Sequence, residues 1–419
     1  MDLSGKRVAV VGLGASGVAS ARLCARRGAT VVGIDQKSRA ALSEEARALD
    51  IEIVSQDAEA LTGFDLVVVS PGVPTYPALD AVRVPVMGEI ELAFRCQAHP
   101  SPVVAVGGTN GKSTVTSLVA ALLEAAGKAV FAGGNLGEPW SNHVDERFDV
   151  VVLEVSSFQM ERVDTFRPDV GVLLNVTDDH LDRYTSFDAY VQAKGNCFVQ
   201  QTERDLAVVP FGDATCLRQA QRGKARVVTF GPGGDVVAKG GRLVGAHNAL
   251  NAAAAVAAVA PFDVSREVVD GVLATFEGLP HRMVLVAERG GVRYYDDSKG
   301  TNVGASVTAI LGLSEEKVVL IAGGRDKHGS YAPLADAMKK KGRAAVVIGE
   351  AAPRIEGALS PVVPTVHATS MAEAVTTSRG LARQGDAVLL SPACSSFDMF
   401  RDYKHRGDEF ARAVRLLPP

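Results

Sequence analysis

Residues Val103 to Thr114 read VVAVGGTNGKST, and this stretch decides the fold. Val103–Val106 is a short apolar run with the pattern of a strand buried on both faces. Gly107-Gly108-Thr109-Asn110-Gly111-Lys112-Ser113 follows, and then an alanine- and leucine-rich run that reads as a helix to about Ala126. A strand feeding a glycine-rich turn and a helix N-terminus is an anion cradle. The glycines let backbone N–H groups turn inward, the helix end favours negative charge, and the lysine adds a point charge. Ser113 supplies a hydroxyl where a phosphate-bound Mg²⁺ would sit. The full P-loop pattern has glycine five residues before Gly111, where this chain has Val106, so the loop is a shortened variant. A glycine-rich turn with a solvated lysine is the plain alternative, and strand, turn, Lys-Ser and helix in register argue against it.

The chain has 419 residues, enough for about three domains. Its composition is 47% hydrophobic and 22% charged, that of a globular protein. A net charge of −4 gives no case for a nucleic-acid partner, so any basic site is local. Cys24, Cys96, Cys197, Cys216 and Cys394 form no CxxC and no metal-like spacing, which suits free thiols in a reducing cytoplasm. The N-terminus enters a strand without a signal-peptide layout, and the apolar run Ala252–Ala260 is too short to span a bilayer. A cytoplasmic protein with no membrane contact is expected.

Outward from the loop, the first segment, residues 1–98, repeats the strand–turn–helix theme. Arg7–Val11 reads as a buried strand, Gly12-Leu13-Gly14-Ala15-Ser16-Gly17 as the turn, and Thr30–Ile34 as a second strand ending at Asp35. This GxGxxG turn with an acid about twenty residues on is a dinucleotide-type layout. It suits NAD or another diphosphate such as a nucleotide-sugar. A third strand, Asp65–Val69, runs into Ser70-Pro71-Gly72, either a rigid turn or a ligand loop. His99-Pro100-Ser101-Pro102 breaks helix and strand alike and marks the first boundary.

In the middle segment, residues 99–280, Ala132–Gly137 reads as a glycine-rich loop carrying Asn135. The strand Asp149–Val155 carries Glu154 near its end, where a buried carboxylate needs a cation, either Mg²⁺ or an ion-pair partner. Asp169–Asn175 is a further strand, and Asp178-Asp179-His180-Leu181-Asp182-Arg183 follows it as a cluster of ionisable groups in which His180 is a candidate ligand. A helix over Phe187–Val199 includes Lys194, which the residues alone leave as a solvated lysine. Asn248 and Asn251 sit three apart on one helical face, a fit to a purine edge or to helix capping. Phe276–Arg282 reads as a hinge.

The last segment, residues 281–419, alternates strands and helices again, which predicts a second doubly wound sheet. Asp296-Asp297-Ser298-Lys299, Gly323–Lys327 and Ser391–Phe397 each follow a strand. Basic and hydroxyl groups at such a rim suit a dicarboxylic amino acid or phosphates. Cys394 has no identifiable histidine partner and reads as a packed thiol.

GGTNGKS, LEVSSFQ, NVTDDHLDRY, GAHNALNAAAA and LPHR occur here in the order found in the Mur ligases, the ATP-dependent amide ligases of peptidoglycan synthesis, and the chain resembles that family. DSKGTN, GGRDK and SPACSSFDMFRDYKHRG resemble the branch that adds D-glutamate to UDP-N-acetylmuramoyl-L-alanine. The resemblance covers the whole chain. It implies an α/β protein of three domains: a Rossmann-like N-terminal domain that binds UDP rather than NAD, a central P-loop-type ATPase domain, and a Rossmann-like C-terminal domain for the amino acid. It implies ATP at Gly108, Thr109, Asn110, Gly111, Lys112, Ser113 and Thr114, at Asn248 and Asn251, and at Arg282 and Asp297. One Mg²⁺ would lie on Ser113 and Glu154, and a second on His180 and a carbamylated Lys194. Ser16, Asp35, Ser70 and Gly72 match UDP-binding turns, and Asn135 and His180 match muramoyl contacts. Lys299, Thr301, Lys327, Ser396 and Tyr403 match the D-glutamate contacts. Lys112, Asn135, His180 and Lys194 are the catalytic residues so implied. Two positions depart from the family pattern: Gln36-Lys37 stands where Thr-Arg occurs, and Tyr403 where Phe is expected. A monomer is expected. The rivals are a folylpolyglutamate synthase-like ligase, a nucleotide-binding regulator and an NAD oxidoreductase.

Overall fold

The computed structural model describes residues 1–56, 61–180, 183–238, 246–326 and 329–418. Lys327, Leu181 and Asp182 lie outside the described residues. Three sheets carry the fold. The first comprises β1 (Arg7–Val11), β2 (Thr30–Asp35), β3 (Glu52–Ser55), β4 (Leu66–Val69) and β5 (Val86–Gly88), in the order β3-β2-β1-β4-β5. The second comprises β6 (Val103–Gly107), β7 (Val130–Gly134), β8 (Val150–Glu154), β9 (Val170–Leu173), β10 (Leu206–Pro210) and β11 (Arg226–Phe230), in the order β11-β10-β9-β6-β8-β7. The third comprises β12 (Val284–Arg289), β13 (Val292–Asp296), β14 (Val318–Gly323), β15 (Gly342–Ile348), β16 (Thr365–His367) and β17 (Ala387–Leu390), in the order β12-β13-β17-β14-β15-β16. Among the described residues every pairing between these strands is parallel except that of β12 with β13.

Helices cover both faces of parallel sheets, so the central strands are apolar throughout rather than alternating. β4, β6 and β8 are buried at every residue. In each of the first two sheets the strand order reverses beside the glycine turn, at β1 and at β6. Loops at such a reversal splay apart and leave a crevice at the strand C-termini.

The chain divides into two compact units. One holds Met1–Val176, Asp188–Arg242 and Ala249–Phe276, and the other Thr177–Phe187, Leu243–Asn248 and Glu277–Pro419. Within the first unit a single apolar cluster joins both sheets: Ile90 and Leu92 belong to it together with Trp140, Phe166 and Phe198.

Two sequence expectations change. Of the glycine-rich stretch Ala132–Gly137 read as a loop, Ala132–Gly134 forms with Val130 and Phe131 the edge strand β7, while Asn135–Gly137 is a turn as expected. Glycine fits there because a Cβ on Gly134 would come within 2.6 Å of the Glu154 carbonyl oxygen. The helix expected over Phe187–Val199 is α-helical only over Phe187–Gly195 and tightens to a 3₁₀ turn at Asn196–Phe198. Gly195 is packed against Gln219, whose Oε1 would lie 2.1 Å from an added Cβ. Among the described residues no helix is long and apolar enough to cross a membrane. All five cysteines are buried thiols.

Candidate active site

Several helices begin on a side-chain cap, such as Asp213, Asn302 and Asp402. The helix Lys112–Ala125 instead begins on Gly111, in the left-handed region at φ 86°, with no capping side chain. Gly108 takes φ 141°, and a Cβ there would come within 3.0 Å of Leu174. On Gly111 a Cβ would stand 2.6 Å from Asn251 Oδ1. The loop is therefore both conformationally and sterically restricted to glycine at these two places.

Asn175, at the end of β9, holds the loop in register. Its Oδ1 accepts from the Asn110 N–H at 2.9 Å, its Nδ2 donates to the Asn110 carbonyl at 3.0 Å, and its carbonyl accepts from the Thr109 N–H at 3.0 Å. Lys112 Nζ folds back to the Thr109 carbonyl at 2.8 Å. Ser113 and Thr114 are buried in the first turn.

Lys194 is not solvated. It is 4% exposed, donates to the Gly108 carbonyl at 2.7 Å, and lies 4.6 Å from the centroid of the Tyr190 ring. Tyr190 OH in turn lies 3.0 Å from Thr109 Oγ1. Tyr190 was missed by the sequence reading, although its i,i+4 spacing from Lys194 on one helix was the available signal.

Glu154, at the end of β8, is 3% exposed. Asn135 Nδ2 donates to its Oε1 at 2.6 Å, and its Oε2 is buried without a hydrogen-bond partner among the described residues. A buried carboxylate oxygen with no donor is costly. It matches the demand of a hard cation, and the Ser113 hydroxyl adds a second oxygen donor of suitable type. The residues present thus fit a Mg²⁺. His180 belongs to the second compact unit. Its backbone is left-handed at φ 56°, and its N–H donates to Asp179 Oδ1 at 3.0 Å. Non-glycine residues hold that conformation at a cost, which is typical of functional loops. Asn302 Nδ2 donates to Asp179 Oδ2 at 3.2 Å.

In the first sheet, Asp35 organises the glycine turn. Its Oδ2 accepts from the Leu13 N–H at 2.7 Å and its Oδ1 from the Lys37 N–H at 2.8 Å. Ser70 Oγ donates to the Gly12 carbonyl at 2.6 Å, joining the two loops expected to bind one ligand. Gly17 permits the helix to approach: a Cβ there would meet Gly12 O at 1.9 Å. Ser16 is half-buried at the helix start, and Gly72 is exposed. Beside this turn lies a cavity of about 630 Å³, lined by Leu13, Asp35 and Lys37 and also by Glu138, Pro139 and Asn142.

In the second unit, the strand ends converge. β13, β17 and β14 are neighbours, so the segments that follow them adjoin. Lys299 Nζ lies 5.1 Å from the Tyr403 ring centroid. The Arg325 N–H donates to the Ser395 carbonyl at 2.9 Å, beside the buried Ser396. Thr301 is half-buried, and its N–H donates to the Lys299 carbonyl at 2.9 Å.

Arg406, absent from the sequence reading, ties these segments together. It is fully buried, and all five of its N–H groups are used. They reach Ser298 Oγ and O, the Cys394 carbonyl twice, and the Gly323 carbonyl. Burial draws its guanidinium down to about 10, still charged at neutral pH. Arg406, Phe410 and Val414 form one stripe on the helix Tyr403–Arg415, so an arginine in an apolar stripe was the signal. Asp297 is buried. Ser391 Oγ donates to its Oδ2 at 2.8 Å, and Arg282 Nη1 lies 3.6 Å from its Oδ1. Burial pushes its carboxyl up to about 6, against the opposing pull of Arg282. Cys394 Sγ lies 3.2 Å from Tyr331 OH, in keeping with a packed thiol.

A Mur ligase MurD-like N-terminal domain matches residues 6–85, a Mur ligase middle domain matches residues 106–241, and a Mur ligase glutamate ligase domain matches residues 281–394. The chain belongs to the Mur ligase family. Within it, the chain is 42% identical over 450 residues to the UDP-N-acetylmuramoylalanine--D-glutamate ligase of Trichlorobacter lovleyi, covering 100% of both chains. It is 41% identical over 452 residues to the protein of the same name from Desulfatibacillum aliphaticivorans, again covering 100% of both. The fold is also similar to a solved MurF ligase from Thermotoga maritima in complex with ADP. The TM-score is 0.65 at 19% identity, over 98% of this chain and 95% of that one.

Proposed function

We propose that this ligase joins D-glutamate to UDP-N-acetylmuramoyl-L-alanine through an acyl phosphate formed from ATP. The chain is an acid–amino-acid ligase of peptidoglycan precursor synthesis, as its full-length relatives are. A carboxylate is a poor acyl donor. Its oxygen attacks the γ-phosphorus of ATP, the bond to the β-phosphate oxygen breaks, and ADP leaves. The free amine of D-glutamate then attacks the acyl carbon. The tetrahedral intermediate collapses, the C–O bond breaks, and inorganic phosphate departs as the amide loses a proton. Converging anions repel, so the chain must supply positive charge where it develops.

The phosphate loop is the observation that carries this reading. Its left-handed Gly111, its first-turn N–H groups and Lys112 suit the β- and γ-phosphates. Ser113 and the buried Glu154 Oε2, which has no hydrogen-bond partner among the described residues, would hold one Mg²⁺, and His180 with a carbamylated Lys194 a second. A bound Mg²⁺ would neutralise charge on the phosphoryl oxygens. In the carbamate, CO₂ adds to the neutral Lys194 amine, an N–C bond forms and a proton is released. One N–H remains to donate to Gly108, and the new carboxylate oxygens suit a hard cation. Asn251, against Gly111, and Asn248 would face adenine. Arg282 and Asp297 would contact the nucleotide. Asp35, Ser70, Ser16 and Gly72 would seat UDP, and Asn135 the muramoyl group. Lys299, Thr301, Lys327, Ser396 and Tyr403 would hold D-glutamate. The protein would act in the cytoplasm as a monomer, with no nucleic acid or membrane partner.

The test is phosphate release from ATP and Mg²⁺ with UDP-N-acetylmuramoyl-L-alanine, comparing D-glutamate with L-glutamate, meso-diaminopimelate and L-alanine. Turnover with D-glutamate alone is expected. Turnover with another amino acid instead would overturn the assignment of the C-terminal residues.

A further inference from the structure

Two glutamates in the first turn of the helix Glu89–Cys96 are buried: Glu89 is 1% exposed and Glu91 is fully enclosed. Neither was singled out by its sequence context. Glu91 takes the backbone N–H groups of Asp164, Thr165 and Phe166, each at 2.9 Å, and the Thr165 hydroxyl at 2.6 Å. Hydrogen bonds hold its carboxyl below the usual range despite its burial, so it is a settled anion that fixes the segment leading to β9. Glu89 is different. Its Oε1 accepts from the Ser141 N–H at 2.7 Å, while its Oε2 has no hydrogen-bond partner among the described residues. Burial pushes its carboxyl up, toward the neutral acid.

Ser141 is held from its other side as well. Arg26 Nη2, from the helix Ala15–Arg26, donates to the Ser141 carbonyl at 3.1 Å. Ser141 stands in sequence between Pro139 and Asn142, which line the 630 Å³ cavity beside the UDP-type turn. Ala15, Val18 and Ala19 also line it, and they belong to the helix Ala15–Arg26 that carries Arg26. The two groups that grip Ser141 therefore belong to the first sheet's domain, and the wall they grip follows β7 of the second sheet.

We propose that Glu89 is a positioning residue for the UDP-substrate: through the Ser141 N–H it fixes the Glu138–Asn142 wall at the separation that the nucleotide-sugar requires. Arg26 acts with it through the Ser141 carbonyl. The inference rests on the reading of the Gly12–Gly17 turn as a UDP site. Glu89 touches no substrate and acts only through the peptide it holds. A misplaced wall lowers affinity for the UDP-substrate and leaves the phosphate loop, organised by Asn175, intact.

Calorimetric binding of UDP-N-acetylmuramoyl-L-alanine and of UDP to the full chain tests this, together with KM values for each substrate. Glu89→Leu is expected to weaken UDP-substrate binding at least 10-fold, with KM for ATP changed less than 2-fold. Glu89→Gln, which retains a carbonyl for the Ser141 N–H, is expected to recover most of that loss. Arg26→Met, at a side chain that is 41% exposed, is expected to weaken binding several-fold and decides the matter if Glu89→Leu does not fold. Wild-type affinity in both Glu89→Leu and Arg26→Met overturns the inference, as does an equal loss for ATP. Wild-type protein that binds neither UDP compound overturns the reading of the turn, and the inference with it.

Discussion

The Lys194 ammonium donates to the Gly108 carbonyl over 2.7 Å, so the helix lysine bears directly on the phosphate loop. A buried lysine so placed either organises the loop or is converted to an anionic ligand beside it. Lys194→Ala is expected to lower the rate by about 10²–10³-fold, the usual cost of one lost electrostatic stabiliser. Under the carbamate reading, formate or acetate restores part of that rate, and wild-type activity falls when CO₂ is stripped from the buffer. Full activity of Lys194→Ala without any additive would remove Lys194 from the mechanism.

Glu154 Oε2 is buried without a donor among the described residues. Glu154→Gln keeps the volume and the contact with Asn135, and removes the charge that a cation would meet. Activity is expected to fall at least 10²-fold, and the Mg²⁺ concentration for half-maximal rate to rise about 10-fold. An unchanged Mg²⁺ titration would assign Glu154 a structural role instead.

Asp297 ties stability to pH. Its carboxyl, ordinarily near 3.8, is pushed by burial to about 6. Between those values the native state keeps a proton that the unfolded state has lost, so stability falls as pH rises from 4 to 6. The cost is fully present above pH 6 and amounts to about 3 kcal/mol. Asp297→Asn is expected to raise Tm at pH 8, with no gain below pH 4, while KM for ATP increases. Equal Tm differences at both pH values would contradict the linkage.

Arg406 spends all five N–H groups on the segments after β13 and β17 and on the last residue of β14. Arg406→Lys keeps a charge and loses the fork, so several carbonyls are left unsatisfied at about 1–3 kcal/mol each where water cannot reach them. A lower Tm is expected, with KM for D-glutamate raised about 10-fold and KM for ATP little changed. Equal effects on both KM values would mean that Arg406 supports the unit as a whole rather than its amino-acid end.

The local structure of the candidate site's turns was legible because local chemistry left marks. Gly12, Gly108 and Gly111 were readable as turns since their positive φ admits little else. Asp35 was readable as the acid that ends β2, and the structure finds it bonded to the Leu13 N–H of the turn. Lys194 was not readable from its residues, because burial is a property of what packs on a helix and not of the helix itself. Tyr190, Asn175 and Arg406 were missed for the same reason: each acts on a segment far away in the chain. The β7 edge was missed because its glycines, which suggest a loop in isolation, are required by close contact with β8.

Sequence alone determined the α/β class, the two glycine turns and the resemblance to the Mur ligases. These follow from local rules, since strand periodicity, turn conformation and helix-end polarity act over a few residues. Only the tertiary structure decided that Lys194 is buried on the phosphate loop, that Glu154 keeps an oxygen without a donor among the described residues, that Glu89 grips Ser141, and that Arg406 binds three strand ends. Those facts depend on desolvation and on hydrogen bonds between residues tens to more than a hundred positions apart. Such pairings become fixed only when the sheets close around them.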